Sequence, residues 1–251
     1  MAVEEIKPYG TQGDKTEQVE QMFDSIAPSY DFMNHAMTFG LDRRWRDKAL
    51  DMLKRSRTAE SAAPAILDVA CGTGDVSFRL RELFSDSNVT GIDLSAGMLA
   101  QAKRKLSSPR FARFADSMQF MEADCLNLPF DDNSFDIITV AYGVRNFEHL
   151  DKGYAEMLRV LKPEGRICVL ELCEPANKLV RLCYRLYSQC AIPVAGRIVS
   201  GDRNAYSYLL KSIKECPQRQ AMVSMMESAG FREASFKSLF PNTVAVYLAT
   251  K

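Results

Sequence analysis

The run 67–75 reads LDVACGTGD. An apolar stretch precedes it and a helical pattern follows, the setting in which a glycine loop carries meaning. Gly72 and Gly74 permit positive φ and a close backbone approach by a ligand, with Thr73 between them. Asp93 stands 19 residues past Gly74, at the end of a second apolar stretch. A carboxylate there would meet the hydroxyls of a ribose. Asp124 and Cys125 follow a third such stretch, in EADCLNLPF. Asp124 could accept from an adenine amino group while the Cys125 backbone N–H faces a ring nitrogen.

A dinucleotide fits poorly, because the third glycine of GxGxxG would fall where Ser77 stands. The spacing is D-x-A-x-G-x-G, from Asp68 through Ala70 and Gly72 to Gly74. An acid at the start of the loop suits a ligand with a charged amine rather than a pyrophosphate. These features fit S-adenosylmethionine, whose sulfonium is cationic and whose adenosine needs carboxylate acceptors. An ordinary βα turn with chance acids is the plainer alternative. Three acids at successive strand ends, converging on one edge of a sheet, argue against it.

The elements that must position these residues form an alternation. AILDVA (65–70), NVTGID (88–93), MQFMEA (118–123), FDIITVAY (135–142) and RICVLEL (166–172) read as strands. Helical patterns separate them, one of them with Ser95 as its N-cap and another near 152–161. Such alternation implies right-handed crossovers and a parallel sheet. Residues 1–16 read as polar and unpacked, and 16–57 as an amphipathic helical stretch interrupted at Pro28. Residues 174–216 read as helical without a strand, and 218–229 as a helix. The last two strands, FREASFKSL and NTVAVYLAT, join around Pro241-Asn242 and should pair antiparallel. A single domain is expected: a helical cap (1–57), a cofactor-binding core (65–173), a helical insertion on the substrate side (174–216) and a C-terminal helix with a strand pair (217–251).

Composition narrows the classes. The 251 residues carry 32 basic and 32 acidic side chains, a net charge of zero. A nucleic-acid partner is not expected, since phosphate binding calls for a basic surplus. No apolar run approaches the roughly 18 residues of a membrane span. The start MAVEEIKPYG lacks the features of a signal peptide, so a cytoplasmic protein is expected. Seven cysteines without a CxxC pair, and two histidines, give no metal-ligand cluster. Small buried thiols in a reducing compartment are the expectation.

With these residues in place the chain resembles class I S-adenosylmethionine-dependent methyltransferases. More narrowly it resembles the ubiquinone/menaquinone biosynthesis C-methyltransferase family, from about Val19 to the C-terminus. YDFMNHAMTFGLDRRW (30–45) and RVLKPEGRICVLELC (159–173) carry the narrower match, with AYGVRN (141–146) and AYSYLLKSI (205–213). Asp42 stands where the family usually has a histidine, Glu164 where it has a glycine and Cys173 where it has a serine. No histidine base can therefore be assumed at 42. The resemblance implies a Rossmann-like α/β fold with a seven-stranded, mostly parallel sheet whose last strand is antiparallel. It implies C-methylation of a reduced prenylated quinol, demethylmenaquinol to menaquinol ahead of a polyprenyl benzoquinol or another small acceptor. Thr73, Asp93, Asp124 and Cys125 are the cofactor contacts it carries over. A homodimer is one assembly open to the chain.

That chemistry asks for a reduced ring. A hydroquinone carbon becomes nucleophilic when a neighbouring hydroxyl ionises, and a ring proton must then leave. The site must align the reactants and provide or position a base. Arg145 stays protonated but can stabilise a phenolate or orient a water. Asn146 can hydrogen-bond a quinol oxygen. Capping and ion pairing are the structural alternatives for both. Asp75 could bridge cofactor and a catalytic water, or be a carboxylate favoured by a helix N-terminus. His35 lies in the N-terminal motif near the expected pocket, and His149 at the solvated start of a helix. For the tail, Leu179, Leu182, Cys183, Leu186, Tyr187 and Cys190 share one helical face, with Lys178, Arg181 and Arg185 on another. Such a helix can rest on the inner face of an anionic membrane or pack its stripe on the core.

Overall fold

Strand β1 (Ala65–Val69) is buried along nearly its whole length. Strands β2 (Asn88–Asp93) and β4 (Phe135–Ala141) flank it, both parallel to it. Alternate side chains leave a strand on opposite faces. Leu67 and Val69 accordingly join one core with Ile138 and Val140, while Ile66 joins the other with Ile137. Strands covered on both faces read as continuous apolar runs, which is what the sequence shows. The computed structural model describes residues 3–10, 12–56, 63–178, 180–182, 184, 186 and 203–251. Much of the amphipathic stretch at 178–197 therefore lies outside the described residues.

The sheet has seven strands in the order β3-β2-β1-β4-β5-β7-β6, adding β3 (Met118–Glu122), β5 (Leu161–Leu172), β6 (Arg232–Leu239) and β7 (Val244–Thr250). Strand β7 runs antiparallel to β5 and β6, and the other pairings are parallel. The expected fold is observed. Strand order reverses between β1 and β4, so their outgoing loops part and open a crevice at the carboxyl ends. Strand β5 starts at Leu161 rather than at 166. The KPEG run (162–165) is an irregularity inside the strand, where pairing jumps from Phe135–Leu161 to Ile137–Arg166.

The N-terminal stretch is three helices: α1 (Lys15–Ile26), α2 (Tyr30–Met37) and α3 (Leu41–Ser56). Pro28 sits in a 3-10 turn between the first two. Phe39 and Gly40, both at positive φ, turn the chain between the next two. Helices α3, α4 (Asp75–Leu83) and α5 (Ala96–Leu106) pack on one face of the sheet. Helices α6 (Leu150–Val160) and α8 (Gln220–Ser228) pack on the other. Ser95 caps α5 as expected, its Oγ accepting from the Met98 N–H at 3.1 Å. A third cluster joins Val19, Met22 and Ile26 of α1 and Met33 of α2 to Met98 and to Ala205 and Tyr208 of α7 (Arg203–Glu215). The segment before α1 is not loose: Val3 and Ile6 are buried.

Candidate active site

Asp93 ends β2 and ties the glycine loop to the start of α5. Its Oδ2 accepts from the Gly72 N–H at 2.8 Å and its Oδ1 from the Ser95 N–H at 2.9 Å. Burial raises its pKa, and those amides pull the other way. Asp124 accepts from the Leu126 N–H at 2.8 Å. Gly72, Asp93, Asp124 and Cys125 line one cavity of about 80 Å³, roofed by Val19, Glu20 and Phe23 of α1. Burial pushes the Cys125 thiol well above its ordinary pKa. The loop glycines differ in purpose. A Cβ on Gly72 (φ +56) would meet nothing within 4 Å, so the backbone there borders open space. A Cβ on Gly74 (φ +82) would sit 2.9 Å from the Phe120 ring, so Gly74 serves turn and packing. Two carboxylates beside an exposed glycine backbone fit an adenosine with its ribose.

Asp68 is held from two sides within the fold. Register places it opposite Thr139, whose hydroxyl donates to its Oδ1 at 2.6 Å. Ser77 of α4 donates to its Oδ2 at 2.5 Å. Asp68 is 1% exposed, and burial raises its pKa to about 6. Each of its oxygens is therefore engaged in the core, and it does not reach the 80 Å³ cavity. It borders a smaller one of about 50 Å³, together with Thr73, Asp75 and Arg46. The two cavities share Tyr30, Gly72 and Tyr142 as walls.

Thr73 and Asp75 belong to a charged cluster at the smaller cavity. Thr73 donates to Asp31 at 2.6 Å and accepts from Lys105 at 3.0 Å. Asp75 binds Lys105 at 2.6 Å and Arg46 at 3.0 Å. Burial works to raise the Asp75 pKa, but Lys105 and Arg46 outweigh it and hold the carboxylate below its usual range. This cluster joins the cap to the glycine loop, and Arg46, Thr73 and Asp75 could receive the amino-acid end of the cofactor. Asp75 lines neither larger cavity.

The acceptor side is a cavity of about 290 Å³ that shares Phe23, Tyr30, Tyr142 and Asn146 with the cofactor cavity. Met22, Ile26, Met33, Met37 and Trp45 make much of its wall. Arg145 and Asn146 line it, in a 3-10 turn (Val144–Asn146) after β4. Arg145 is 5% exposed and pairs with Glu171, 1% exposed, at 2.8 Å. Burial works against the guanidinium charge, but Glu171, Tyr30 and Tyr208 together outweigh it and raise the Arg145 pKa. The Asn146 Oδ1 accepts from the Tyr208 hydroxyl at 3.1 Å, and its Nδ2 reaches the Tyr142 carbonyl only at 3.4 Å. Tyr142 Oη and Arg145 Nε are buried with no hydrogen-bond partner among the described residues.

The histidines are elsewhere. Asp42 is a cavity wall, and its Oδ2 meets His35 Nδ1 at 2.9 Å and Arg46 at 3.0 Å. His35 itself lines none of the three cavities. His149 precedes α6, with ligand atoms of Glu4 and Asp151 within 4.8 Å, a surface trio apart from the site. Sequence reasoning missed Glu171, Tyr208 and Arg46. Glu171 and Tyr208 lie inside the motifs at 159–173 and 205–213, and Arg46 directly follows the one at 30–45, but no local signal marked these three side chains.

The reversed strand order, the glycine loop and the acids after β2 and β3 define a class I S-adenosylmethionine-dependent methyltransferase. A solved methyltransferase from Aquifex aeolicus shares the fold, with a TM-score of 0.57 and 16% identity over 80% of this chain and 88% of that one. The cyclase SpnF shares it too, with a TM-score of 0.67 and 18% identity over 94% and 96%. The chain belongs to the ubiE/COQ5 methyltransferase family, whose model matches residues 11–251. A Bacteroides fragilis protein named demethylmenaquinone methyltransferase is 42% identical over 99% of this chain and 98% of its own. Its namesake in Porphyromonas gingivalis is 43% identical over the same shares. A Dictyostelium discoideum protein named 2-methoxy-6-polyprenyl-1,4-benzoquinol methylase, mitochondrial, is 34% identical over 90% of this chain and 79% of its own.

Proposed function

We propose that the protein C-methylates a reduced prenylated naphthoquinol, demethylmenaquinol to menaquinol. The observation that carries this reading is the 290 Å³ apolar cavity with Arg145 and Asn146 in its wall, sharing Tyr142 and Asn146 with the cofactor cavity. The names of the two relatives at 42% and 43% identity favour the naphthoquinol over the benzoquinol of the 34% relative.

S-adenosylmethionine, when bound, supplies an electrophilic methyl group. Asp93, Asp124 and the Gly72 backbone hold its adenosine end. The apolar wall lowers the local dielectric, which strengthens each charge inside it. Arg145, kept charged by Glu171, stabilises the phenolate that activates the ring carbon. Asn146, its oxygen already accepting from Tyr208, turns its amide toward a ring oxygen. Together the two orient the water that takes the ring proton.

The acceptor's tail is dissolved in lipid, and among the described residues no helix is long and apolar enough to cross a membrane. We read the protein as meeting its acceptor by peripheral contact at the membrane surface. Phe39, 81% exposed, lines the acceptor cavity. Phe240, 82% exposed, precedes the cavity-lining Pro241. Arg43 and Arg44 beside them are exposed. An aromatic rim with adjacent cations suits an anionic lipid surface. In the stretch first considered, Lys178, Leu182 and Leu186 are exposed, whereas Arg181 turns back to the carbonyls of Pro175 and Ala176 at 2.8 and 3.3 Å. Cells lacking the protein should lose the methylated quinone and accumulate its demethyl precursor. An unchanged quinone profile would end this reading.

A further inference from the structure

We infer that Lys15 is a positioning residue, whose ammonium fastens the helix roofing the cofactor cavity to the turn that carries Arg145 and Asn146. Lys15 opens α1 and is 0% exposed. Its Nζ donates to three carbonyls: Val3 at 2.8 Å, Phe147 at 2.9 Å and Arg145 at 3.1 Å. An ammonium has three N–H donors, so each meets one acceptor, the condition under which a buried charge is tolerable. The carbonyls at the end of the 3-10 turn need donors in turn, and no short neutral side chain offers three. A second contact holds the same two elements from the other side. Glu148 accepts from the Lys15 N–H at 3.2 Å and from the Thr16 hydroxyl at 2.7 Å.

The consequence falls on the site. Helix α1 supplies Val19, Glu20 and Phe23 to the cofactor cavity, and the turn supplies Asn146 and Phe147. The turn also aims Arg145 at the acceptor cavity. One ammonium therefore sets roof and floor in register. Burial lowers the Lys15 pKa to about 8, against Cys216 just past α7, Glu4 and Glu148, which raise it, and with Arg145, which lowers it further. A neutral amine has two N–H groups for three carbonyls, so the clamp weakens above that pH. Only the turnover consequence rests on the acceptor reading; cofactor-site binding does not.

The test is calorimetric binding of S-adenosylhomocysteine from pH 7 to 9, with thermal melts alongside, for the wild type and Lys15→Met. At pH 7 the variant should bind roughly tenfold more weakly, with buried carbonyls left unpaired. Wild-type affinity should fall as pH passes about 8, and the variant should lack that step. The unfolded chain holds this proton more tightly than the folded one. Deprotonation of Lys15 therefore makes the fold more stable between about pH 8 and 10, and lost affinity there is not unfolding. A folded variant with wild-type affinity overturns the inference, as does a step of equal size in both proteins. If the variant does not fold, hydrogen exchange on the wild type, corrected for intrinsic rates, decides. Protection at residues 15–23 and 144–147 should drop selectively between pH 7 and 9, and unchanged protection there overturns the clamp.

Discussion

Replacing Glu171 by alanine should be among the most damaging single changes in the chain. Glu171 accepts from Arg145 Nη1 at 2.8 Å, from the Arg145 N–H at 3.3 Å and from the Leu172 N–H at 2.8 Å. The variant leaves a buried guanidinium without its counter-ion and two backbone donors without their acceptor. Breaking a buried pair from one side costs about 3–5 kcal/mol. For a chain of 251 residues that lowers the melting midpoint by roughly ten degrees. Denaturant titration and thermal melts measure it directly. The double variant Arg145→Met with Glu171→Leu, which removes both charges but leaves the two backbone donors unpaired, should recover part of the stability but none of the turnover. A loss below about 1 kcal/mol in Glu171→Ala, the scale of an exposed pair, would refute the reasoning. So would a double variant that regains turnover.

Asp93→Ala should weaken S-adenosylhomocysteine binding by about 1–3 kcal/mol, the cost of unpaired buried amides and lost ribose contacts. Unchanged affinity by calorimetry would take Asp93 off the ribose. Asp68 has its folded pKa raised to about 6, so its proton stabilises the fold fully below about pH 4 and that stabilisation is lost as pH rises through about 6. The difference is on the order of 3 kcal/mol, and Asp68→Asn should remove it from the pH dependence of stability. Equal slopes in the two proteins would contradict the assignment. The combined variant Phe240→Ser, Arg43→Glu, Arg44→Glu should lose binding to anionic liposomes, at about 1 kcal/mol per basic residue, while sparing a short-tailed soluble quinol. Undiminished flotation with liposomes would remove the rim from membrane contact.

What was legible in the sequence was local. The glycine loop, Asp93 and Asp124 announced themselves because each follows an apolar strand, and parallel strands deliver such positions to one edge. Arg145 and Asn146 followed the same rule after β4. The partners of Asp68 were hidden because its side chain obeys the strand's two-residue alternation. It points to the same face as Ile66, where cross-strand Thr139 and helical Ser77 wait. Register with β4 is a long-range fact that no local pattern contains. Buried charges were the other blind spot. Lys15 finds its carbonyls 130 and 132 residues away, and Glu171 meets Arg145 across 26. In the sequence both look like ordinary solvated charges. The break between α2 and α3 hid for a different reason: apolar periodicity continues through Phe39-Gly40, and the reversal lies in two positive φ angles.

The central claim is that this site transfers a methyl group to the carbon of a reduced prenylated quinol. The most direct measurement incubates the purified protein with methyl-labelled S-adenosylmethionine and a prenyl naphthoquinone, once reduced and once oxidised, and locates the label by mass spectrometry. The account predicts label on a ring carbon with the reduced acceptor, none with the oxidised one, and loss of that product in Arg145→Ala. Equal labelling of both redox forms, or label on a ring oxygen, would contradict it.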